Sequence, residues 1–241
     1  MDYLKSEHLK FKRTISNKLI FIVPLITAIF AWIMGGYMGY QYMTLYWWYA
    51  FLLPGAIAIL CSLSHRKEEN AGKYYSVFSM PVNLSRFEFA KGIILVEKLL
   101  VSAIFLALLI SISNIIAPAT AVYSLLHSIT GSIGIILASV WQIPLCLYLA
   151  RKTGMFVPIV LNTILGIVLS TATALGNTVA WWFVPYCWAA KLAEPLMGIE
   201  MNGTYAGNCG FSIAIMISIS LSILLFLILS YADAKDFYKG R

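Results

Sequence analysis

The sequence predicts an all-α integral membrane protein with six transmembrane helices. Three features indicate this class: an apolar composition, long stretches without charge, and basic residues gathered on one side of those stretches. Of the 241 residues, 61% are hydrophobic and 11% are charged, whereas soluble domains carry roughly 25% charged residues. So few polar side chains cannot cover the surface of a soluble core, and the solvent that remains is lipid.

Uncharged stretches of the chain set the number of spans. They run from Lys18 to Arg66, from Lys98 to Arg151, from Thr153 to Ala190 and from Met201 to Ala232. A helix needs about 20 apolar residues to cross the bilayer, so the first two stretches hold two spans each and the last two hold one each. The predicted spans lie near Leu19–Gly39, Met43–Leu63, Ile93–Ile116, Val122–Ala150, Phe156–Leu175 and Phe211–Tyr231.

Glycines and prolines predict where the chain turns or bends. Gly35, Gly36 and Gly39 separate the first span from the second, and the third and fourth are separated around Asn114 and Pro118. Kinks are expected at the prolines inside spans, where neighbouring groups satisfy the carbonyls that a proline leaves free. These prolines are Pro54, Pro144 and Pro158.

The distribution of basic residues predicts the orientation. All 17 Lys and Arg residues except Lys191 lie in the N-terminal tail, around the loop after the second span, in the loop after the fourth span, or in the C-terminal tail. The positive-inside rule places these segments, and with them both termini, in the cytoplasm. The net charge of +7 is then a topology signal, and nucleic-acid binding is the weaker explanation for it.

Residues 1–18 are predicted to form an interfacial helix. Leu4, His8, Phe11 and Ile15 follow one another at helical spacing and share one face. A basic amphipathic segment just before a span lies in the plane of the lipid headgroups. The alternative is a polar tail whose periodicity is accidental.

The cytoplasmic loop at residues 64–92 carries a candidate partner-binding helix. Residues Glu68–Ser79 predict a short helix with aromatic content, which Met80-Pro81 ends because the residue before a proline disfavours helix. Asn83 or Ser85 can cap the following helix, which runs into the third span. Aromatic side chains exposed at the cytoplasmic mouth favour a partner protein, and the alternative is that this helix packs back on its own bundle.

The outer loop at residues 176–210 is the second candidate site. Trp188–Gly198 predicts a short helix that lies in or dips into the outer leaflet, and Cys187 and Cys209 share this oxidising side, where a disulfide is one alternative. Loops of this length are often functional, and headgroup anchoring is the equal alternative. The candidate substrate-contacting residues are Trp181, Trp182, Tyr186, Trp188, Glu194 and Glu200.

The sequence carries no motif for a catalytic or metal site. It lacks both the GxxxxGK[ST] phosphate loop and the HExxH motif, and its histidines are scattered. His127 is expected to bond a neighbouring helix rather than to act in catalysis. Glu68, Glu69 and Lys73 resemble the EExxxR motif of intramembrane proteases, but they lie in a charged loop that no paired histidines follow. Since almost no ionisable residue lies deep in the membrane, we expect no enzyme site and an energy source in another protein.

The cytoplasmic loop resembles that of ABC-2-type exporter permeases. The run that carries the likeness comprises Glu69 to Gly72, Met80-Pro81-Val82, Arg86, Glu88 and Lys91-Gly92. The resemblance implies a single permease domain over residues 1–241 with a type V exporter fold. It also implies two copies of a separate ATPase that hold ATP and Mg²⁺, while this chain binds no cofactor. The docking residues that it implies are Glu69, Lys73, Tyr74, Tyr75, Val77, Phe78 and Arg86.

The outer loop is similar to that of permease subunits from lantibiotic immunity and resistance transporters. The likeness rests on Pro185-Tyr186-Cys187-Trp188, on Leu196-Met197-Gly198-Ile199 and on Asn202-Gly203, although Cys187 and Met201 replace the usual serine and proline. It implies a bacterial plasma membrane location, a second and homologous six-helix permease, and a cationic peptide antibiotic as the exported substrate. The alternative is an ATP-independent polytopic membrane protein or an intramembrane enzyme.

Overall fold

The computed structural model describes residues 4, 6–8, 14–70 and 84–239, and these residues form a bundle of helices. The described part contains no strand, and a single isolated bridge joins Ile199 and Tyr205. The predicted all-α class is therefore confirmed. The eight main helices are α1 Ile15–Trp47, α2 Leu53–Asn70, α3 Leu84–Ile116, α4 Leu125–Ser139, α5 Gln142–Thr153, α6 Phe156–Ser170, α7 Cys187–Met197 and α8 Ile213–Lys239.

Several of these helices are long and apolar enough to cross a membrane. Among the described residues, three stretches qualify, Ile15–Asn70, Arg86–Ile116 and Ile213–Asp236, and a fourth qualifies if α4 and α5 count as one broken span. α6 is apolar but shorter, at 15 residues. These lengths are those of a multi-pass membrane protein.

The first stretch folds back on itself at Gly36. The backbone there has φ 55° and ψ −161°, a conformation that glycine adopts far more readily than other residues. The ring centroids of Phe30 and Trp47 are 5.0 Å apart, although a straight helix would separate these residues by roughly 25 Å. The predicted break at the glycines is thus confirmed, and the two arms of α1 form a helical hairpin.

Two of the three predicted proline kinks are present. Pro54 follows a π-helical turn at Trp48–Leu52, and Pro144 lies in the first turn of α5, which is bent by 47° from α4. A helix that continued through Pro54 or Pro144 would lose a hydrogen bond and clash with the ring, so the regular helix starts again just before each of these prolines. Pro158 lies in the first turn of α6, where a missing N–H costs no helical bond.

Some predicted boundaries are wrong. The fourth span was predicted to start at Val122, but the structure begins α4 at Leu125. The break before Gln142 lies beside Pro144, where a kink was expected. The Ser124 side chain caps α4 by accepting a hydrogen bond of 3.2 Å from the His127 N–H, which stops the helix from extending further towards its N-terminus.

The predicted cytoplasmic helix, Glu68–Ser79, is described only at its first three residues. Glu68 belongs to α2, which continues to Asn70, because nothing between Arg66 and Asn70 interrupts a helix. The rest of the predicted helix, residues 71–79, lies outside the described residues. α3 is described from Leu84 onward, and the candidate cap Asn83 lies outside the described residues.

The helix ends define two faces of the bundle. The basic face is formed by the C-terminal end of α2, the first turns of α3 and the C-terminal ends of α5 and α8. The aromatic face is formed by residues 37–49, 114–123 and 179–205. Small residues let the helices approach closely between these faces: a Cβ on Gly166 of α6, for example, would lie 2.8 Å from the Pro54 ring.

Candidate functional site

A buried cluster of four charged side chains lies at the basic face. Lys91 Nζ is 3.2 Å from Glu88 Oε1. Arg151 Nη1 is 3.9 Å from the same Glu88 oxygen, and Arg151 Nη2 bonds the Asp233 carboxylate. Nη2 also donates a hydrogen bond of 3.2 Å to the Asp233 carbonyl oxygen. The cluster therefore ties α3, α5 and α8 together.

Local structure explains why these charges meet. Glu88 and Lys91 are three residues apart on α3 and so lie on one face of that helix. Arg151 lies in the last turn of α5, where a cation is favoured by the helix dipole. Lys91 is 1% exposed and lies 4.7 Å from the Phe87 ring centroid. Two acids and two bases give a neutral cluster, the form in which buried charges are tolerated.

The predicted ATPase-docking residues flank this cluster only in part. Glu69 is exposed in the last turn of α2, with its Oε2 3.9 Å from His65 Nε2. Arg86 is exposed in the first turn of α3. The C-terminal end of α2 and the start of α3 thus lie at the same face. The other predicted docking residues lie outside the described residues: Lys73, Tyr74, Tyr75, Val77 and Phe78. Their docking role stays a prediction.

The described N-terminal residues pack against the basic face. Glu7 is 1% exposed and lines a small cavity of about 10 Å³ with Ser64 and Lys67 of α2. His8 Nδ1 lies 3.5 Å from Glu97 Oε1 of α3. Most of the predicted interfacial helix lies outside the described residues, but these contacts show that its Glu7 side chain faces protein.

At the aromatic face, the predicted outer helix is confirmed as α7, Cys187–Met197. It ends at Gly198, whose φ of 66° is the left-handed conformation typical of a helix C-terminus. His127 Nε2 lies 2.6 Å from the Leu196 carbonyl oxygen, and the Tyr123 hydroxyl donates to the Met197 carbonyl oxygen. The predicted bond from His127 to a neighbouring helix is therefore confirmed.

Asn162, a polar residue inside a predicted span, is engaged in structural hydrogen bonds. Asn162 Nδ2 donates to Gln142 Oε1 at 2.9 Å and to the Pro54 carbonyl oxygen at 2.7 Å. The Tyr186 hydroxyl donates to Asn162 Oδ1 at 2.8 Å. Asn162 and His127, two of the residues that an intramembrane enzyme could use, therefore have structural partners.

Gln41 is a structural residue that sequence reasoning missed. Its Oε1 accepts hydrogen bonds from the N–H groups of Val122 and Tyr123 at 2.7 and 2.9 Å, and its Nε2 donates to Ser113 at 2.8 Å. A lone glutamine in an uncharged stretch was the available signal, since such residues commonly join helices in membranes.

The aromatic residues predicted to contact substrate divide into buried and exposed ones. Trp181, Tyr186 and Trp188 are buried, and Trp188 Nε1 donates a hydrogen bond of 3.1 Å to the Trp182 carbonyl oxygen. Trp182 is 46% exposed. A molecule arriving at this face in the described conformation would therefore meet Trp182 and, through the larger open cavity, the edge of Trp181.

Glu194 and Glu200 lie together at two neighbouring open cavities of about 450 and 350 Å³. Lys191 lines both cavities, and its Nζ is 2.6 Å from Glu194 Oε2. Glu200 Oε2 accepts a hydrogen bond of 2.8 Å from the Thr204 hydroxyl. These three charged residues leave the cavities with one net negative charge.

The cysteines of the outer loop do not form the considered disulfide. Both are free thiols: the Cys187 Sγ lies 3.1 Å from the Leu169 carbonyl oxygen, and Cys209 is exposed. Burial raises the pKa of the Cys187 thiol to about 11, and desolvation also raises the pKa of Cys209. Thiols with raised pKa values are mostly protonated near neutral pH and exchange slowly.

The described ranges hold no group of three or more His, Cys, Asp or Glu side chains that could bind a metal ion. The bundle instead combines long apolar helices, a neutral ion cluster at one end and a packed aromatic loop at the other. This architecture defines a multi-pass membrane protein whose two faces are joined by continuous helices.

Residues 3–169, more than half of the chain, match the family described as ABC-2 family transporter protein, and the chain belongs to that family. No curated protein and no solved structure matches it. The predicted ABC-2 resemblance is thereby confirmed: the chain is a membrane component of a transporter, is not itself its catalytic subunit, and belongs to a family that works with ABC ATPase partners.

The family match covers the cytoplasmic loop but stops before the outer loop at residues 176–210. The residues that carry the lantibiotic resemblance all lie in that loop.

Proposed function

We propose that this chain is the permease subunit of an ATP-driven ABC exporter that expels a cationic peptide antibiotic of the lantibiotic class from the membrane. The observation that carries the proposal is the ABC-2 family match across the cytoplasmic loop, combined with an outer loop that presents acidic cavities and an exposed tryptophan. Export of such a peptide would give the cell immunity or resistance.

The proposal includes six spans in a bacterial plasma membrane, with the basic face in the cytoplasm. The first span is the first arm of α1, and the second is the second arm of α1 continued by α2. The other four spans are α3, the broken helix α4 with α5, α6, and α8. α6 is about 22 Å long, shorter than a hydrocarbon core of about 30 Å, and the helical turn at Thr173–Gly176 follows it. An even number of crossings leaves both termini on the cytoplasmic side, as the positive-inside rule requires.

The proposed partners are two copies of a separate ATPase, which would bind ATP and Mg²⁺, and a second six-helix permease. The ATPase would dock at residues 68–79, since the helices on either side of residues 71–83 end and begin at the basic face. Aromatic side chains in that segment would supply the apolar centre of the interface.

The peptide specificity is supported by the charges of the outer loop. Glu194 and Glu200 outnumber Lys191 at the two open cavities, and Trp181 contributes an apolar surface to the larger one. Two exposed carboxylates attract a cation weakly at physiological salt because screening acts over about 8 Å. Partition of the peptide into the membrane would therefore supply much of the local concentration.

Purification of the tagged chain from its native membrane in mild detergent tests the assembly. We expect it to bring down a protein with Walker motifs and a second six-span protein. A variant with Tyr74, Tyr75 and Phe78 all changed to Ala should insert normally but lose the ATPase. A chain that purifies without an ATPase, under conditions that keep a known ABC exporter intact, would remove the proposal.

The substrate requires a separate assay. Cells that express the full complex should tolerate a higher concentration of a cationic lantibiotic than cells whose ATPase carries a Walker-motif substitution. An anionic peptide of similar length is the matched control, and equal protection against both peptides would contradict the cationic specificity.

A further inference from the structure

We propose that Arg151 is a positioning residue that couples movement of the cytoplasmic loop to the last helix, α8, and through it to the outer cavities. This inference rests on the proposed transport function. It adds a route between the two faces of the protein, made of one arginine, two carboxylates and one continuous helix.

The first step of the route is the start of α3. This helix begins directly after residues 71–83, where the ATPase is proposed to dock, and Glu88 lies in its second turn. Glu88 is 5% exposed and Lys91 is 1% exposed. Because charges buried in this way need their partners, the start of α3 cannot shift without either moving those partners or exchanging them.

The second step is Arg151, which bridges two carboxylates on different helices. Its Nη1 lies 3.9 Å from Glu88 of α3, and its Nη2 bonds both the side chain and the main chain of Asp233 on α8. The planar guanidinium can hold two acceptors in fixed directions, whereas a lysine ammonium acts as a single charge. Arg151 is therefore the polar link between α3 and α8, beside the direct apolar contact of Phe89 with Phe226, whose ring centroids are 6.1 Å apart.

The third step is α8 itself. It runs without interruption from Ile213 to Lys239, a length of roughly 40 Å, and it packs against the outer helix α7. At its N-terminal end, Ser212 and Ala214 line the larger outer cavity together with Glu194. A tilt or shift of α8 at Asp233 would thus change the wall of the cavity at the opposite face.

A second ion pair between the same two helices provides a matched control. Lys152 Nζ lies 2.8 Å from Asp236 Oδ2, but these side chains are 48% and 35% exposed. Exposed pairs of this kind contribute little because water solvates both charges. Replacing Lys152 removes a charge one residue away from Arg151 without opening the buried cluster.

The experiment uses the complete complex of permeases and ATPase in liposomes, with peptide transport and ATP hydrolysis measured in the same preparation. We expect Arg151→Gln and Asp233→Asn to keep ATP hydrolysis within about twofold and to lower peptide transported per ATP by about tenfold, within the usual range of coupling energies between sites. Arg151→Lys should restore only part of the loss, and Lys152→Gln should leave the ratio unchanged.

Two results would overturn the inference. One is an unchanged transport-to-hydrolysis ratio in both Arg151→Gln and Asp233→Asn. The other is loss of ATPase binding in these variants, which would make the cluster part of the docking surface or of the fold. Failure of the proposed function itself is distinguishable, because the unmodified complex would then show no peptide-dependent transport at all.

Discussion

The hydroxyl of Tyr123 donates a hydrogen bond of 2.6 Å to the carbonyl oxygen of Met197. Tyr123 precedes α4, and Met197 is the last residue of α7, where helical carbonyls lack partners within their own helix. The bond therefore satisfies an otherwise unpaired group and attaches the outer helix to the bundle. His127 supports the same helix end through the Leu196 carbonyl.

Tyr123→Phe should destabilise the protein. The substitution keeps the ring but leaves the Met197 carbonyl unpaired in a buried position, at a cost of about 1–2 kcal/mol. A lower midpoint of thermal unfolding in detergent would show this. Tyr231→Phe is the control, because Tyr231 is exposed on α8, and equal midpoints for the two variants would contradict the role of Tyr123.

Gly36→Ala should impair formation of the helical hairpin in α1. The φ of 55° and ψ of −161° place Gly36 in a region that other residues occupy at a cost of roughly 1–3 kcal/mol. The yield of inserted protein and its thermal midpoint should both fall. Gly210→Ala is matched to it, since Gly210 has open space around it and no positive φ; a similar loss in that variant would mean that the strain at Gly36 is not the cause.

Trp182→Ala and Trp188→Ala should have different effects. Trp182 is exposed, so its removal should lower protection against the cationic peptide while the thermal midpoint stays the same. Trp188 is buried beside Trp141, with ring centroids 6.2 Å apart, and its removal leaves a cavity that costs about 3–5 kcal/mol. If Trp182→Ala cells keep full protection, the loop serves as an anchor rather than as a substrate contact.

Cys209 should react with a membrane-impermeant maleimide added to intact cells, because it is the exposed cysteine of the four. Its raised pKa keeps the thiol mostly protonated at neutral pH. While the pH is below that pKa, each increase of one pH unit should raise the labelling rate about tenfold, because the fraction of reactive thiolate rises by that factor. Mass analysis of the labelled chain measures this, with Cys209→Ser as the unlabelled control. Labelling only after the cells are permeabilised would place the aromatic face in the cytoplasm and reverse the proposed orientation.

The resemblance to the ABC-2 family was accessible from the sequence because residues close together in the chain carry it, among them Arg86 and Glu88. The substrate-facing side of the outer loop was less accessible. Trp181, Trp182 and Trp188 are chemically alike, and only packing shows that Trp182 is the exposed one.

By itself, the sequence determined the features that depend on neighbouring residues: apolar stretches long enough to span lipid, the reversal at Gly36, the breaks beside Pro54 and Pro144, and the end of α7 near Gly198. The tertiary structure alone decided which distant residues meet, such as Arg151 and Asp233, 82 positions apart, or Tyr186 and Asn162. The reason lies in the solvent. In lipid, the outward face of a helix is as apolar as its packed face, so hydrophobic periodicity does not reveal how each helix is rotated, and the pairing of side chains follows only from the packed bundle.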